Sequence, residues 1–97
     1  MTVYLVAQLA FKDITAYRRY QAKFMDVFRK FDGQLLAADE HPKVWEGHWK
    51  KDKVVIISFP DEAALIRFAE SPEYREISKD RIAGADTVFL IVRGIPS

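Results

Sequence analysis

The chain has 97 residues, of which 49% are hydrophobic and 30% charged, and its net charge is +1. These values are typical of one small globular domain and give no basic field for nucleic acid. There is no cysteine, which excludes disulfides and thiolate chemistry. Neither an apolar run of about 20 residues, as a membrane span requires, nor a basic leader segment is present, so we expect a cytoplasmic protein without membrane contact.

The first third of the chain predicts a strand followed by a long helix. Residues 3–10 are mostly apolar at both alternating positions, as in a strand covered on both faces. Asp13 can cap a helix over residues 14–31, where apolar side chains recur on one stripe. Gly33 is expected to end this helix in the left-handed conformation.

The middle of the chain predicts a hairpin. Residues 34–38 begin a second strand, which residues 39–42 interrupt as a bulge or loop. Pairing is expected to resume over residues 43–49, before a polar turn at 50–53. The next strand, residues 54–59, reads Val-Val-Ile-Ile-Ser-Phe and is apolar on both faces. This pattern indicates the centre of a sheet.

The last third predicts helical segments and a closing strand. Asp61 can cap a second helix, and Ser71-Pro72-Glu73 restarts helical structure with a cap, a proline and an acid in the first turn. Residues 87–92 form the last predicted strand. The order β-α-β-β-α-β predicts a single α+β domain over residues 1–97, with a ferredoxin-like, four-stranded antiparallel sheet.

Right-handed connections would place the helices on one face of this sheet and leave the other face bare. An exposed apolar face of this size exceeds what monomers tolerate. We therefore expect a homodimer that packs through the sheet faces into an α+β barrel.

A set of short motifs points to a family: Glu46-Gly47-x-Trp49, Phe59-Pro60, Ala63, Phe68, Ser71-Pro72-Glu73-Tyr74, Arg81, and a last strand ending near Gly94. With these motifs the chain resembles the uncharacterised family called domain of unknown function thirteen-thirty, in the dimeric α+β-barrel superfamily. The resemblance implies the same fold and dimer but no established reaction. The wider superfamily includes cofactor-free monooxygenases, haem-degrading enzymes and muconolactone-isomerase-like proteins, so the fold does not specify a function.

Glu46 and His48 are the candidate catalytic residues. They lie two positions apart on one face of the predicted strand, where a carboxylate could orient the imidazole for proton transfer. The alternative is a polar pair at a sheet rim or dimer interface, and it is the commoner arrangement.

Arg81, Tyr17, Tyr74 and Trp49 are the candidate substrate-binding residues. The arginine could hold an anionic group, and the tyrosines could supply hydroxyls between the helices and the sheet. The alternative for Arg81 is a structural salt bridge to Glu46. Trp45 and Trp49 could line a pocket, although such residues are more often core or interface anchors.

The chain offers few ligands for a metal or a haem, because His41 and His48 are its two histidines. We expect no cofactor. The central strand also lacks the basic and aromatic signature of RNA-recognition domains, so we expect no nucleic acid partner. Two hypotheses remain. The first is a small-molecule-binding dimer with one pocket per subunit, for which cofactor-independent catalysis by proton transfer or oxygenation is an open question. The second is a non-catalytic dimer module with a filled interior.

Overall fold

Four strands form one antiparallel sheet in the order β2-β3-β1-β4. The computed structural model describes residues 1–96. Its elements in chain order are β1 Val3–Phe11, α1 Ile14–Phe28, β2 Gln34–Asp39, β3 Lys53–Phe59, α2 Glu62–Ala69, α3 Pro72–Gly84 and β4 Ala85–Arg93. The predicted ferredoxin-like βαββαβ architecture is confirmed, with the second helical connection divided into α2 and α3.

Each helix begins at a residue whose side chain accepts hydrogen bonds from free backbone N–H groups. Asp13 caps α1, Asp61 caps α2 and Ser71 caps α3. The Asp13 carboxylate accepts from two amides, and Ser71 Oγ accepts from the Tyr74 amide at 3.1 Å. Such caps replace the hydrogen bonds that the first turn of a helix lacks.

The end of α1 differs from the sequence prediction. The helix stops at Phe28, three residues early, and Gly33 does not adopt a left-handed conformation. Gly33 instead allows close packing, because a Cβ atom there would lie 2.6 Å from the Phe28 ring and 2.8 Å from the Phe59 ring. The glycine is needed for space and not for its backbone angle.

The prediction that strand pairing resumes over residues 43–49 is also wrong. Residues 43–49 form no strand, and β2 and β3 are joined by an irregular loop over residues 40–52. The reason is that residues 34–39 already pair with β3, from Gln34 opposite Ser58 to Asp39 opposite Val54. The edge of β3 with which residues 43–49 were expected to pair is therefore already occupied, because the other edge of β3 pairs with β1.

The two faces of the sheet have different environments. Odd-numbered residues of β1 and β3 face the helices, where Leu9, Phe59 and Phe68 are among the most deeply buried side chains. Even-numbered residues face the other side, which no helix within residues 1–96 covers. On that bare face, Val88, Leu90 and Val92 of β4 remain 41–45% exposed.

No helix in residues 1–96 combines the length and the apolar character that crossing a membrane would require.

The junction of α1 and α3 depends on Gly84. Its carbonyl accepts from the amides of Lys12 and Asp13, and a Cβ atom on it would lie 2.5 Å from the Tyr17 nitrogen and 2.8 Å from the Asp13 carbonyl oxygen. Backbone atoms cannot move aside as a flexible side chain can.

We expect Gly84→Ala to lower the free energy of unfolding by about 1–3 kcal/mol, because the added methyl group overpacks this junction. Urea unfolding followed by circular dichroism measures the change. Ala83→Ser, at the exposed neighbouring position, is the control and should stay within about 0.5 kcal/mol of the parent. Equal stability of the two variants would contradict the close contact.

Candidate functional site

A cavity of about 280 Å³ lies between the helix-facing side of the sheet and helices α1 and α3. Its walls are mainly apolar, and they combine side chains from all four strands and all three helices. The apolar lining comprises Leu5, Ala7, Leu9, Phe24, Met25, Leu35, Ala38, Val55, Ile57, Phe68 and Phe89. The polar lining comprises Tyr17, Tyr20, Gln21, Lys53, Tyr74 and Arg81. An apolar cavity with a few convergent polar groups is the usual form of a small-molecule site.

Arg81 is held at the cavity by the last turn of α3. Its guanidinium carbon lies 4.7 Å from the centre of the Phe89 ring, and its buried Nε has no hydrogen-bond partner. Within residues 1–96 it forms no salt bridge, so the alternative pairing of Arg81 with Glu46 is wrong. A buried donor without an acceptor is costly and rare in native proteins.

Three tyrosines line the same cavity. The hydroxyl oxygens of Tyr20 and Tyr74 are 3.0 Å apart, which joins α1 to α3 by a buried hydrogen bond. Burial, with a contribution from Glu40, raises the pKa of Tyr17 to about 12, and burial beside Tyr74 raises the pKa of Tyr20 well above its usual value. Both hydroxyls therefore stay protonated near neutral pH and remain able to donate hydrogen bonds.

Lys53 brings a second cation to the cavity wall. Its side chain is 4% exposed, and its ammonium nitrogen lies 3.6 Å from a Glu40 carboxylate oxygen and 4.9 Å from the centre of the Tyr17 ring. Burial lowers the pKa of Lys53, and Glu40 partly opposes that shift.

Glu40 in turn is held by Arg18. The Arg18 guanidinium donates to both carboxylate oxygens, one of them at 2.8 Å, and this pairing together with the charge of Lys53 lowers the pKa of Glu40 to about 2. Arg18 also donates to Gln21, which itself lines the cavity, at 2.7 Å. A polar cluster of Arg18, Gln21, Glu40 and Lys53 therefore connects α1 to the sheet.

The structure places Tyr17, Tyr74 and Arg81 together at this cavity, while Glu46, His48 and Trp49 lie in the loop 40–52. Glu46 and His48 are exposed and do not line the cavity. They do not share a strand face, because the strand that would have aligned them is absent. Their catalytic role remains a prediction that the cavity does not support.

The two tryptophans, which could have lined a pocket, do not line the cavity. Trp45 is 88% exposed, near the ammonium group of Lys43. The indole N–H of Trp49 donates to the Gln8 side chain at 2.9 Å. Gln8 lies on the bare face of the sheet, opposite Val54 and Val88, so Trp49 is on the other side of the sheet from the cavity.

Residues 1–96 contain no group of three histidine, cysteine, aspartate or glutamate side chains arranged to hold a metal ion.

Sequence reasoning did not identify Lys53 and Glu40 as parts of the site. The sequence predicts Lys53 in a polar turn, but Lys53 has the same parity as Val55 and Ile57, whose side chains face the helices. That shared parity is the signal that could have identified it. Nothing in the local sequence of Glu40 predicts its pairing with Arg18, which is 22 residues away.

A family model described as a domain of unknown function, DUF1330, matches residues 2–95. The chain belongs to the DUF1330 family. The resemblance that the motifs suggested is thereby confirmed over nearly the whole chain. A search of curated proteins found no match for this DUF1330 protein.

Solved structures with a similar fold include proteins of known and unknown function. A Rhodopseudomonas palustris protein of unknown function is 19% identical, with a TM-score of 0.82 over 99% of this chain and 84% of its own. SnoaB from Streptomyces nogalater, a cofactor-independent oxygenase, is 12% identical, with a TM-score of 0.73 over 99% of this chain and 95% of its own. A dimeric ferredoxin-like protein of unknown function from a Jannaschia species is 12% identical, with a TM-score of 0.74 over 97% of this chain and 100% of its own. At these identities the similarity shows the shared fold.

We expect Glu40→Gln to lower the free energy of unfolding by about 1–3 kcal/mol at pH 7, because it leaves Lys53 buried without an anion. Since the folded-state pKa of Glu40 is about 2, below its unfolded value, the stabilisation is complete above about pH 4.5. It is lost as the pH falls from there toward 2. Urea unfolding at several pH values should show the difference between parent and variant shrinking over this range.

Glu76→Gln is the matched control, because Glu76 pairs with Lys79 on an exposed helix surface. It should change stability little at any pH, since solvent screens such a pair. If the loss in free energy of unfolding caused by Glu40→Gln did not change with pH, the charge of the carboxylate would contribute nothing to stability.

Proposed function

We propose that this DUF1330 protein binds a small organic molecule with an anionic group in the cavity between sheet and helices. The observation that carries the proposal is Arg81, which lines an apolar cavity with a buried Nε–H that has no acceptor. A carboxylate or similar oxyanion would supply this acceptor. Arginine is suited to the role because its planar guanidinium can donate two parallel hydrogen bonds to one carboxylate.

The remaining lining suits the rest of such a ligand. Aromatic side chains of Tyr17, Phe24 and Phe68 provide surface for an apolar or aromatic body. The protonated hydroxyls of the tyrosines offer further hydrogen-bond donors. The volume of about 280 Å³ lies near the lower end of the usual range of roughly 300–1,000 Å³ for ligand pockets, which favours a small molecule.

A cofactor-independent enzymatic activity is the finer form of this hypothesis. It is supported by the fold shared with SnoaB, a cofactor-independent oxygenase, and by a largely apolar cavity, since apolar walls limit the access of water to a reacting group. Proton transfer by Glu46 and His48 stays a prediction, and it requires the loop 40–52 to reach a bound substrate. Arg81, Tyr17 and Tyr74 are the residues that we propose to contact the ligand.

The cavity favours ligand binding over a purely structural module. The structural alternative required a filled interior and a Glu46–Arg81 salt bridge, whereas a cavity lies between sheet and helices and Arg81 forms no salt bridge within residues 1–96. A protein without a ligand would gain stability by replacing Arg81 with an apolar residue that fills the cavity.

We further propose a homodimer that packs through the bare face of the sheet. The face carries Tyr4, Val6, Val54, Ile56, Val88, Leu90 and Val92, of which the last three are 41–45% exposed. Similar folds from Jannaschia and Bacteroides fragilis are described as dimeric. A second copy would remove this apolar surface from water.

We expect Arg81→Met to weaken the binding of benzoate, the chosen probe, by roughly ten- to hundredfold, since a charge-assisted pair is lost. Benzamide, the neutral isostere, should bind weakly to parent and variant alike. NMR titration at fixed ionic strength measures both affinities. Arg75→Met removes the same charge from an exposed position of α3 and is the control. Equal benzoate affinity for parent and Arg81→Met would contradict the proposed site.

We expect Leu90→Asp to convert the dimer to a monomer, because it places a charge in the apolar contact. Analytical ultracentrifugation measures the molecular mass. Ile82→Asp is the control, because Ile82 is 58% exposed but lies on α3, away from the bare face. A parent protein that is monomeric at high concentration would contradict the proposed dimer.

A further inference from the structure

Lys53 is the second cation that lines the cavity. Binding of a single anion by Arg81 would not explain why this lysine is buried there. It lies at the start of β3 with 3% of its surface exposed, on the helix-facing side of the sheet, and it lines the same cavity as Arg81. Lysine is almost never buried to this degree unless a partner compensates its charge. If no residue of the protein fully compensates the charge of Lys53, an anionic group of the ligand would do so.

Glu40 compensates Lys53 incompletely. The ammonium nitrogen is 3.6 Å from the nearer Glu40 oxygen, which is longer than a hydrogen bond. Both oxygens of that carboxylate already accept hydrogen bonds from Arg18. The other neighbour of the ammonium group is the face of the Tyr17 ring, which attracts a cation but accepts no conventional hydrogen bond.

The charges around the cavity lead to the same conclusion. Arg18 and Glu40 form a bidentate pair whose charges cancel. Lys53 and Arg81 then remain as positive charges that line a largely apolar cavity. Because Tyr17 and Tyr20 stay protonated near neutral pH, these two tyrosines supply no negative charge. The cavity therefore offers two cationic binding points: Arg81, whose buried Nε–H has no acceptor, and Lys53, whose charge Glu40 compensates only in part.

We infer that the ligand is a small diacid, with one anionic group bound by Arg81 and a second bound by Lys53, and with an apolar body between them. This inference rests on the proposed function and makes it more specific. The apolar lining of the cavity that the two cations share, which includes Leu9, Ala7 and Val55, fits the carbon skeleton of such a molecule. A second charge-assisted contact would also fix the orientation of the ligand.

The test compares benzoate with phthalate, isophthalate and terephthalate, which place a second carboxylate at three different distances on the same ring. NMR titrations are done at pH 7 and constant ionic strength. We expect at least one diacid to bind the parent roughly tenfold or more tightly than benzoate. Lys53→Met, which replaces the aliphatic stem of the lysine and removes its ammonium group, should abolish that preference. Lys53→Arg should retain it, because the charge remains.

Lys79→Met is the matched control, since it removes a lysine from an exposed ion pair on α3 that does not line the cavity. It should bind all four acids like the parent. Thermal unfolding of each variant shows whether it is folded, and Lys53→Gln replaces Lys53→Met where the latter is unfolded.

The outcomes separate the two proposals. If benzoate binds through Arg81 but no diacid binds more tightly, or if Lys53→Met and Lys53→Gln keep the diacid preference, the diacid inference is overturned and the proposed function stands. If none of the four acids binds the parent, both are overturned. A diacid preference that depends on Lys53 and on Arg81 supports both.

Discussion

Strands β1 and β3 pair at the centre of the sheet in a register that runs from Val3 opposite Phe59 to Leu9 opposite Lys53. This register decides which side chains face the helices and which face away, because a shift by one residue would exchange the two faces. It places Lys53 at the cavity and the mainly apolar even-numbered residues on the bare face. The proposed ligand site and the proposed dimer contact are therefore two consequences of one strand pairing.

The cavity lowers the stability that this small domain could reach. A domain of about this size buries only roughly 60–65% of its unfolded surface, so a cavity, the buried Lys53 and the buried Arg81 Nε without an acceptor are a considerable loss. Helices α1 and α3 offset part of it through the Tyr20–Tyr74 hydrogen bond and the aromatic contacts around Phe68. Natural proteins commonly retain destabilising groups where a function needs them. The arrangement of Lys53 and Arg81 fits that pattern better than it fits a purely structural role.

Most of the fold follows from local sequence patterns, because the features that define it are local. The caps at Asp13, Asp61 and Ser71 and the alternating strands each depend on a few adjacent residues. The predicted strand at 43–49 failed for a non-local reason. Residues 34–39 pair with the edge of β3 that β1 leaves open. The sequence pattern of residues 43–49 contains no information about this pairing.

The site was less predictable than the fold because several of its contacts join segments that are distant in the sequence. The sequence alone was enough to predict one site for Tyr17, Tyr74 and Arg81, since helical spacing indicates which side chains face the sheet. Lys53 and Glu40 depend on contacts between distant segments, and the pairing of Glu40 with Arg18 spans 22 residues. The roles predicted for Glu46 and His48 depended on a strand face that does not form.

The loop 40–52 contains part of the family motif and contacts the bare face of the sheet through Trp49. Glu46, Gly47 and Trp49 belong to the motif that suggested the DUF1330 family, yet none of them lines the cavity. Gly47 has a φ of 93°, a conformation that side chains other than glycine rarely adopt, so this part of the loop has a specific shape. Trp49 fastens the loop to Gln8 on the bare face. Trp49 therefore lies on the side of the sheet where the proposed second copy would pack, and its position is better explained by the shape of that surface than by ligand chemistry.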